Sequence, residues 1–413
     1  MNIAFPDDAP KLLDQSSHRI SSVEDTLARM APMAERFGIT RVANITGLDR
    51  IGIPVALAVR PNARSVAVSQ GKGSTYSHAK VSALMEAIEI WHAEHFSGPV
   101  YYGKQRELQK TWKIVDTSRL PSQPGVEFSE RTPLLWVEGT DLFSGDIKLV
   151  PFEMIHADYT RPVAPAHGYF PASTNGLASG NSLLEAACHA LAEVIERDAT
   201  TLWHFADDPY KEARRIDPET VQATECRNLL SKVIGAGLGC GIWDVTSDLG
   251  IPTVMCLISD DKDGHVGLGA GCHPASEVAL RRAITEAAQT RLNYVSGARD
   301  DLDPIEYSEG GRSEKKSYAA QELMAGASPR HFGSVPTITN LTHREDLEWM
   351  LKALSRVGIT EAIRVDLTQA DYGIPVARIV VPGLEAPHDD DQYVAGPRAR
   401  KFAAASGGSA HVR

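Results

Sequence analysis

The stretch that decides the fold reads NITGLDRIGIPVALAV from Asn44, and it recurs as DVTSDLGIPTVMCLI from Asp244 and as DLTQADYGIPVARIVV from Asp366. Each version begins with Asn or Asp, an aliphatic residue and Thr, and continues through a short polar stretch to Gly-Ile-Pro and an aliphatic run. Glycine permits a turn and proline is tolerated at the start of a strand, so the pattern predicts a β-hairpin. The alternative is that Gly-Ile-Pro is simply a common way to begin a strand.

Further strands are predicted at Leu134–Val137, Lys148–Pro151 and His265–Gly269, and amphipathic helices lie between the strands. The strands come in adjacent pairs rather than as regular βαβ units. We therefore predict an α+β fold with antiparallel β-sheets packed against helices.

The two ends of the chain differ from its middle. A helix capped by Ser21 or Ser22 is expected from about Val23 to Arg36, and Gly38 ends it. Residues 386–413 contain three consecutive aspartates and many small residues, which predicts a tail that is partly disordered after about Arg400. The predicted division is a lead helix in residues 1–44, one large domain in 45–385 and the tail.

Composition excludes several classes of protein. The 413 residues include 42 Lys and Arg against 53 Asp and Glu, a formal net charge of −11, which disfavours sequence-independent nucleic-acid binding. The first residues lack the pattern of a signal peptide, and no apolar run approaches the length of a membrane span. Five cysteines without metal-ligand spacing argue against a disulfide scaffold or a zinc site. We expect a cytoplasmic protein that binds neither nucleic acid nor membrane.

The first long predicted helix, STYSHAKVSALMEAIEIWHAEHF from Ser74, carries two glutamates on a face of small residues. Glu86 and Glu89 are three residues apart, so they lie side by side on the helix. Two neighbouring carboxylates repel each other unless a cation lies over them. A divalent ion is the simplest explanation.

The second helix begins at Ser182, and four titratable residues share one of its faces: Glu185, His189, Glu193 and Glu196. Arg197 follows directly. Ser182 and Glu185 have the spacing of a capping box, which explains Glu185 without a ligand. Glu193 and Glu196 have no such local explanation.

The third helix, which follows His273 and Pro274, places Arg282, Glu286 and Gln289 on one face. An ordinary ion pair between Arg282 and Glu286 is the alternative explanation here. Three alanine-rich helices that carry carboxylates nevertheless suit hard, oxygen-preferring cations that hold a polyphosphate.

Two glycine-containing stretches precede the first two helices, at residues 69–75 (SQGKGST) and 173–181 (STNGLASGN). Each is interpreted as an anion-binding or nucleotide-binding loop at a helix N-terminus, with turn formation as the alternative. The first is not a Walker A motif, because Lys72 is followed by Gly73.

At these residues the chain resembles the YcaO family. The resemblance is carried by SQGKGSTYSHAKVSALMEAIE from Ser69, STNGLASGNSLLEAACHALAEVIERDA from Ser173, RRAITEAAQTRLNYVSGARDD from Arg281 and VPGLE from Val381. It implies a YcaO-type ATP-binding fold with ATP and Mg²⁺ as cofactors and no P-loop, and it makes residues 45–385 the catalytic domain.

The resemblance also implies roles for individual residues. The carboxylates that it places at magnesium are Glu86, Glu89, Glu193 and Glu196. The residues that it places around ATP are Ser69 and Lys72 of the first loop, Asn181, Glu185, Arg197, Glu286 and Gln289. The residues that it implies in catalysis are Glu89, Glu193, Glu196 and Arg197.

The implied chemistry is ATP-dependent O-phosphorylation of a backbone amide in a peptide or protein substrate. External sulfide as the nucleophile gives a thioamide, whereas a Cys, Ser or Thr side chain gives an azoline. The C-terminus, GSAHVR, is not proline-rich, and no fused peptide-binding domain is expected before residue 45. The chain therefore resembles the stand-alone type that works with a TfuA-like partner and a sulfide source, as a homodimer. An azoline-forming cyclodehydratase and a non-catalytic ATP-binding scaffold are the alternatives.

Overall fold

The computed structural model describes residues 9–13, 18–162, 167–260, 266–299, 307, 320, 322–388 and 393–408. The chain divides into two compact units, each assembled from separate stretches of sequence. The first unit consists of Met1–Lys11, Ile88–Ala206 and Asn340–Arg413. The second unit consists of Leu12–Ala87 and Asp207–Thr339.

The helices are, in chain order, α1 (Val23–Met30), α2 (Tyr76–Glu94), α3 (Gln105–Leu108), α4 (Leu183–His204), α5 (Asp208–Ala213), α6 (Thr224–Gly235), α7 (Ser276–Ser296), α8 (His343–Arg356) and α9 (Pro397–Ala405). The strands are β1 (Arg41–Asn44), β2 (Val55–Val59), β3 (Val68–Lys72), β4 (Tyr101–Lys104), β5 (Lys113–Ile114), β6 (Pro133–Asp141), β7 (Ile147–Pro151), β8 (Leu177–Ser179), β9 (Arg215–Ile216), β10 (Gly239–Asp244), β11 (Thr253–Ser259), β12 (Gly267–Cys272), β13 (Ile363–Asp366) and β14 (Val376–Val380). Within the described residues, none of the helices combines the length and the hydrophobicity needed to cross a membrane.

The strands form antiparallel sheets in each unit. The second unit contains one sheet in the order β1-β2-β3 and another in the order β12-β11-β10-β9. The first unit contains a sheet in the order β5-β7-β6-β13-β14-β8, with β4 also paired to β6. The pairing of β5 with β7 is parallel. The predicted α+β class is confirmed.

The individual strand predictions are also close to the structure. Strands β6 and β7 contain the predicted Leu134–Val137 and Lys148–Pro151. The third predicted strand corresponds to β12, although His265 lies outside the described residues.

The three predicted hairpins form, as β1 with β2, β10 with β11 and β13 with β14. In each Gly-Ile-Pro the glycine is left-handed, with φ of 70° at Gly52, 68° at Gly250 and 62° at Gly373. Residues with a side chain rarely adopt this conformation, so the turn itself requires glycine.

The hairpins also share their side-chain hydrogen bonds. The side-chain oxygens of Asn44, Asp244 and Asp366 accept the N–H two residues later at 3.1, 3.0 and 2.9 Å. The threonine that supplies this N–H accepts, through Oγ1, the N–H that begins the returning strand: Thr46 from Val55 at 3.1 Å, Thr246 from Thr253 at 3.1 Å and Thr368 from Val376 at 3.2 Å. The three stretches are therefore one structural motif rather than a shared way to begin a strand.

The recurrence extends beyond the hairpins. A helix and a left-handed glycine precede each hairpin, at Gly38, Gly237 and Gly358. A third strand then pairs with the hairpin and leads into a long helix: β3 into α2, β12 into α7 and β8 into α4. We call residues 23–94 the first repeat, residues 224–296 the second, and residues 343–380 together with 176–204 the third. The third repeat is circularly permuted, because its last strand and helix come earlier in the chain than its hairpin.

Glycines bring the third strands of the first and second repeats against the backbone of their long helices. A Cβ added to Gly71 would lie 2.1 Å from the carbonyl oxygen of Ala79, and one added to Gly269 would lie 2.3 Å from the nitrogen of Ala287. A larger residue on either side would push the strand and the helix apart. The alanines of these helices therefore serve packing and do not form a ligand-facing surface.

This packing corrects the interpretation of the two predicted anion loops. Residues 68–72 form strand β3, and residues 177–179 form strand β8, so much of each stretch is extended. The glycines there allow close contact between strand and helix, which a sequence cannot distinguish from a phosphate-binding turn.

We predict that Gly269→Ala destabilises the protein by about 3 kcal/mol or more, since its new methyl group meets helix backbone that cannot move alone. Urea unfolding would measure this. Gly47→Ala is the control, because nothing lies within 4 Å of a Cβ there. Equal stabilities of the two variants would contradict the close-packing argument.

The N-terminal helix is shorter than predicted. Helix α1 ends at Met30 and continues as a 3-10 helix over Ala31–Phe37, with Pro32 in its first turn, where proline cannot donate a helical hydrogen bond. Its N-cap is Ser22, whose side chain accepts the N–H of Asp25 at 3.0 Å.

The loose tail predicted after Arg400 is wrong for the residues that the structure describes there, up to 408. Residues 397–405 form α9, and Arg398 binds the fully buried carboxylate of Asp198 on α4 at 2.9 and 2.8 Å. Glu385 accepts the N–H of Ala399 at 2.9 Å at the N-terminal end of the helix. These long-range partners outweigh the weak composition of the segment itself. The three aspartates at 389–391 and residues 409–413 lie outside the described part of the chain.

We expect Arg398→Leu to lower the free energy of unfolding by about 3 kcal/mol, because it leaves the buried charge of Asp198 without its partner. Denaturant titration of both proteins would show it. Lys401→Ala, on the exposed side of α9, should change stability by only about 0.5 kcal/mol or less. A loss of the same size in this control would refute the role of the ion pair.

Candidate functional site

The repeats place the candidate glutamates at equivalent positions. In each repeat the proline of Gly-Ile-Pro accepts an N–H from the end of the third strand: Pro54 from Gly73 at 3.3 Å, Pro252 from His273 at 3.1 Å and Pro375 from Gly180 at 3.1 Å. Counted from that donor, Glu86, Glu286 and Glu193 are each 13 residues further along the chain. Glu89, Gln289 and Glu196 are each 16 residues further. One Glu-x-x-Glu/Gln pair therefore occurs at the same position of all three long helices.

In the first unit, α4 carries Glu193, a carboxylate with a clearly shifted pKa. Burial raises the pKa of Glu193 to about 7; Arg197 and Arg378 oppose this rise, whereas the neighbouring Glu196 adds to it. The Oε1 atom of Glu193 accepts the N–H of Gly176 at 3.3 Å. Glu196 itself is 3% exposed. Two neighbouring carboxylates, one half-buried and one buried, are stabilised by a cation.

Glu89 on α2 also belongs to the first unit, and strand β8 fixes its side chain. Its Oε2 accepts the backbone N–H of Ser179 at 2.7 Å and the hydroxyl at 3.1 Å. At the start of α4, Ser182 caps the N–H of Glu185 at 3.1 Å, as the sequence predicts. The side chain of Glu185 instead accepts from Asn181, through its N–H and its Nδ2, both at 3.1 Å. Asn181 and Glu185, both predicted around ATP, are therefore in contact.

In the second unit, strand β3 and helix α7 bring together a second set of predicted site residues. Lys72 forms an ion pair with Glu286, so this carboxylate has a partner on the neighbouring strand. Gln289 donates from Nε2 to the carbonyl oxygen of Gln70 at 2.7 Å, and Glu86 accepts the N–H of Gln70 at 3.4 Å. The predicted Lys72, Glu86, Glu286 and Gln289 thus surround the middle of one strand.

Two residues of β3 stand out within this set. Ser69 is 3% exposed and lies inside the strand. Gln70 is 4% exposed, and neither polar atom of its side chain has a hydrogen-bond partner among the described residues. A buried amide without partners is costly, and such groups in folded proteins usually meet a ligand or water.

The sequence analysis missed Gln70 and a second residue, Arg378 on β14, which only a comparison of the repeats reveals. The equivalent cross-strand pairs are Leu57 with Gln70, Met255 with Ala270 and Arg378 with Leu177. Apolar residues fill these positions in the second repeat, so packing does not require a polar side chain there. The polar side chains at these positions in the first and third repeats therefore have another purpose.

The candidate carboxylates suit a magnesium ion that also binds phosphate and water, rather than a metal ion that is held by protein side chains alone. In the described part of the chain, no three His, Cys, Asp or Glu side chains are close enough to hold one metal ion. Magnesium is usually bound by one or two carboxylates together with substrate phosphates and water. The pair of half-buried Glu193 and buried Glu196, in which desolvation raises the pKa of Glu193, fits such an ion.

Cys188 is a packing residue. Its thiol is buried and donates to the carbonyl oxygen of His343 at 3.0 Å, and burial raises its pKa. It therefore is not a thiolate nucleophile.

Comparison with known proteins identifies the family. Residues 70–385 match the model described as YcaO cyclodehydratase, ATP- and Mg²⁺-binding. The chain is 33% identical over 395 residues to a protein encoded in the tfuA 3′ region of Rhizobium leguminosarum bv. trifolii, covering 90% of this chain and 91% of that protein. The chain belongs to the YcaO family, whose cofactors are ATP and Mg²⁺.

Solved structures share the fold. YcaO from Methanopyrus kandleri, bound with AMPPCP and Mg²⁺, superposes with a TM-score of 0.73 at 22% identity, over 94% of this chain and 98% of that one. A heterocyclase in complex with substrate and cofactor superposes with a TM-score of 0.77 at 21% identity, over 93% of this chain. This chain spans only 55% of that heterocyclase.

Proposed function

We propose that this YcaO-family enzyme activates a backbone amide of a peptide or protein by ATP-dependent O-phosphorylation and replaces the amide oxygen with sulfur, giving a thioamide. The observation that carries the proposal is the Glu-x-x-Glu/Gln pair at one position in all three repeats. Its carboxylates suit the magnesium ions of a nucleotide, and the family model is ATP- and Mg²⁺-binding.

We propose roles for individual residues on the basis of the resemblance to the family. The proposed magnesium ligands are Glu86, Glu89, Glu193 and Glu196. The proposed ATP contacts are Ser69, Lys72, Asn181, Glu185, Arg197, Glu286 and Gln289. Magnesium, when bound, neutralises the phosphate charge that builds up during phosphoryl transfer.

The reaction needs phosphorylation because an amide oxygen is a very poor leaving group. Hydrosulfide adds to the amide carbon, and the resulting oxyanion attacks the γ-phosphorus of ATP, which releases ADP. The C–O bond then breaks as the C=S bond forms, and the sulfur-bound proton leaves with hydrogen phosphate. The balance is amide, hydrosulfide and ATP to thioamide, ADP and phosphate.

The catalytic residues that we propose act by position and charge. Glu89 is oriented by Ser179, so its carboxylate has a fixed direction. The charge of Arg197 lowers the pKa of Glu193 against the effect of burial, which favours the ionised carboxylate. Positioning and charge neutralisation of this kind account for most of the catalysis of phosphoryl transfer.

The tfuA-region relative supports the thioamide product over the azoline. Its location suggests a TfuA-like partner for this chain, with sulfide supplied from outside. We place the reaction in the cytoplasm, because it consumes ATP. The homodimer stays a prediction from the resemblance.

We predict that Glu193→Gln and Glu89→Gln each reduce phosphate release by about 100-fold or more, because each removes a charge that we place at magnesium. The measurement is ATP turnover with substrate peptide, sulfide and partner present. Glu277→Gln, an exposed glutamate on α7, should keep full activity. Full activity in either site variant would show that the metal assignment is wrong.

Mass spectrometry of the product decides between the reactions. Exchange of oxygen for sulfur makes the peptide heavier, whereas cyclisation removes one water. Water loss without added sulfide would replace the thioamide reaction by azoline formation. ATP binding without phosphate release under all these conditions would favour a scaffold.

A further inference from the structure

A cleft in the first unit runs beside β14 and is not used by the proposed nucleotide site. Its walls are mostly apolar, with Met154, Val194, Val381, Leu384 and Val394 among them. Polar residues also line it: Ser122, Ser173, Asn175, Arg378, Glu385 and Tyr393. An apolar cleft with a few polar groups is the usual form of a ligand site.

Arg378 is the unusual residue of this cleft. Its side chain is 3% exposed, and Nη2 donates to the carbonyl oxygen of Ser173 at 2.6 Å. Its Nε is buried and has no hydrogen-bond partner in the part of the chain that the structure describes. Burial lowers the pKa of Arg378 to about 10, while Glu193 and Glu89 raise it, so the guanidinium lies within electrostatic range of both. The guanidinium is therefore held in place by Ser173, and its Nε–H is a buried donor without a partner among the described residues.

Asn175 supplies the complementary group. Its Oδ1 is buried and, like Nε of Arg378, finds no partner among the described residues. Its backbone N–H donates to the hydroxyl of Ser173 at 3.3 Å, which fixes the loop. Arg378 and Asn175 both line the cleft, and each has one buried polar atom without a partner among the described residues, a donor in Arg378 and an acceptor in Asn175.

Comparison of the repeats shows that folding does not require an arginine here. The equivalent positions in the first and second repeats hold Leu57 and Met255, which are 7% and 3% exposed. The same strand position is therefore filled well by an apolar side chain of similar length. A buried cation at that position costs desolvation, and a ligand would compensate for it.

We propose that this cleft binds the main chain of the substrate peptide in an extended form, with Arg378 donating to a peptide carbonyl and Asn175 accepting a peptide N–H. This rests on the proposed function, for which it supplies the peptide-binding surface. A peptide group offers one acceptor and one donor, which matches the two groups that the cleft leaves unsatisfied. The apolar walls then face alternate side chains of the extended peptide.

A phosphate group is the competing occupant, and the observations disfavour it. The acceptor Oδ1 of Asn175 and the carboxylate of Glu385 both line the cleft, and neither would favour an anion. The guanidinium also interacts electrostatically with Glu193 and Glu89, two of the proposed nucleotide-binding carboxylates.

The test uses the full chain and a pool of random octapeptides that are acetylated and amidated at their ends, so that terminal charges cannot bind. Protein and pool are equilibrated without ATP turnover, the protein is isolated by gel filtration, and retained peptides are counted by mass spectrometry. We expect the wild type to retain peptides. Arg378→Met should reduce the number of retained peptides by about tenfold or more, because a hydrogen bond to a charged group is lost. Arg378→Lys, which keeps the charge, should be intermediate.

Met255→Leu is the matched control, since it changes the equivalent position of the second repeat and should retain peptides as the wild type does. Asn175→Ala gives a second test should Arg378→Met fail to fold, and it should also lose retention. The affinity for AMPPCP and Mg²⁺ should be unchanged in Asn175→Ala, which removes no charge. The proposal is overturned if the wild type retains no peptide, if the site variants retain as much as the wild type, or if Arg378→Met weakens AMPPCP binding alone. Because retention needs no turnover, its outcome is separate from that of the Glu193→Gln assay.

Discussion

The contact on which the structure depends is that between a glycine-bearing strand and the backbone of an alanine-rich helix. Gly71 against Ala79 and Gly269 against Ala287 leave no space for a larger side chain. Such a contact fixes both the distance and the register of the helix on its strand. Because the contact recurs in the first and second repeats, a glutamate at one helix position has the same place in both of them.

The constraint also explains how carboxylates can be crowded on these helices. Their positions follow from backbone packing, which supplies the stability, so the acids need not contribute to it. Glu193 shows the consequence, since burial raises its pKa to about 7 and the folded protein favours a cation beside it. In the second unit, where Gln289 replaces the second acid, Lys72 already neutralises Glu286. The repeats share one geometry and differ in the charge that they carry.

Local pattern was enough to predict the hairpins, the class of fold and the helices that carry the candidate acids. The turn glycines Gly52, Gly250 and Gly373 act within a few residues, which is why the recurrence is visible in the sequence. Contacts between distant segments were not predictable. The glycines of β3 serve a helix that follows them in the chain, and were interpreted as a phosphate loop. Likewise α9 owes its order to Asp198, about 200 residues away, which no local composition reveals.

Repetition itself supplies the information that single motifs lack. When the three copies of the motif are compared, a position that is apolar in two copies and charged in the third can be assigned to function rather than to folding. This comparison needs no sequence other than that of the chain itself. Arg378 is found this way, opposite Leu177 on β8, and Gln70 is found at the partner position of the first repeat. The three copies share the equivalent glutamates, and they differ at Arg378 and Gln70. A protein that must hold a common cofactor and also recognise its own substrate needs both kinds of position.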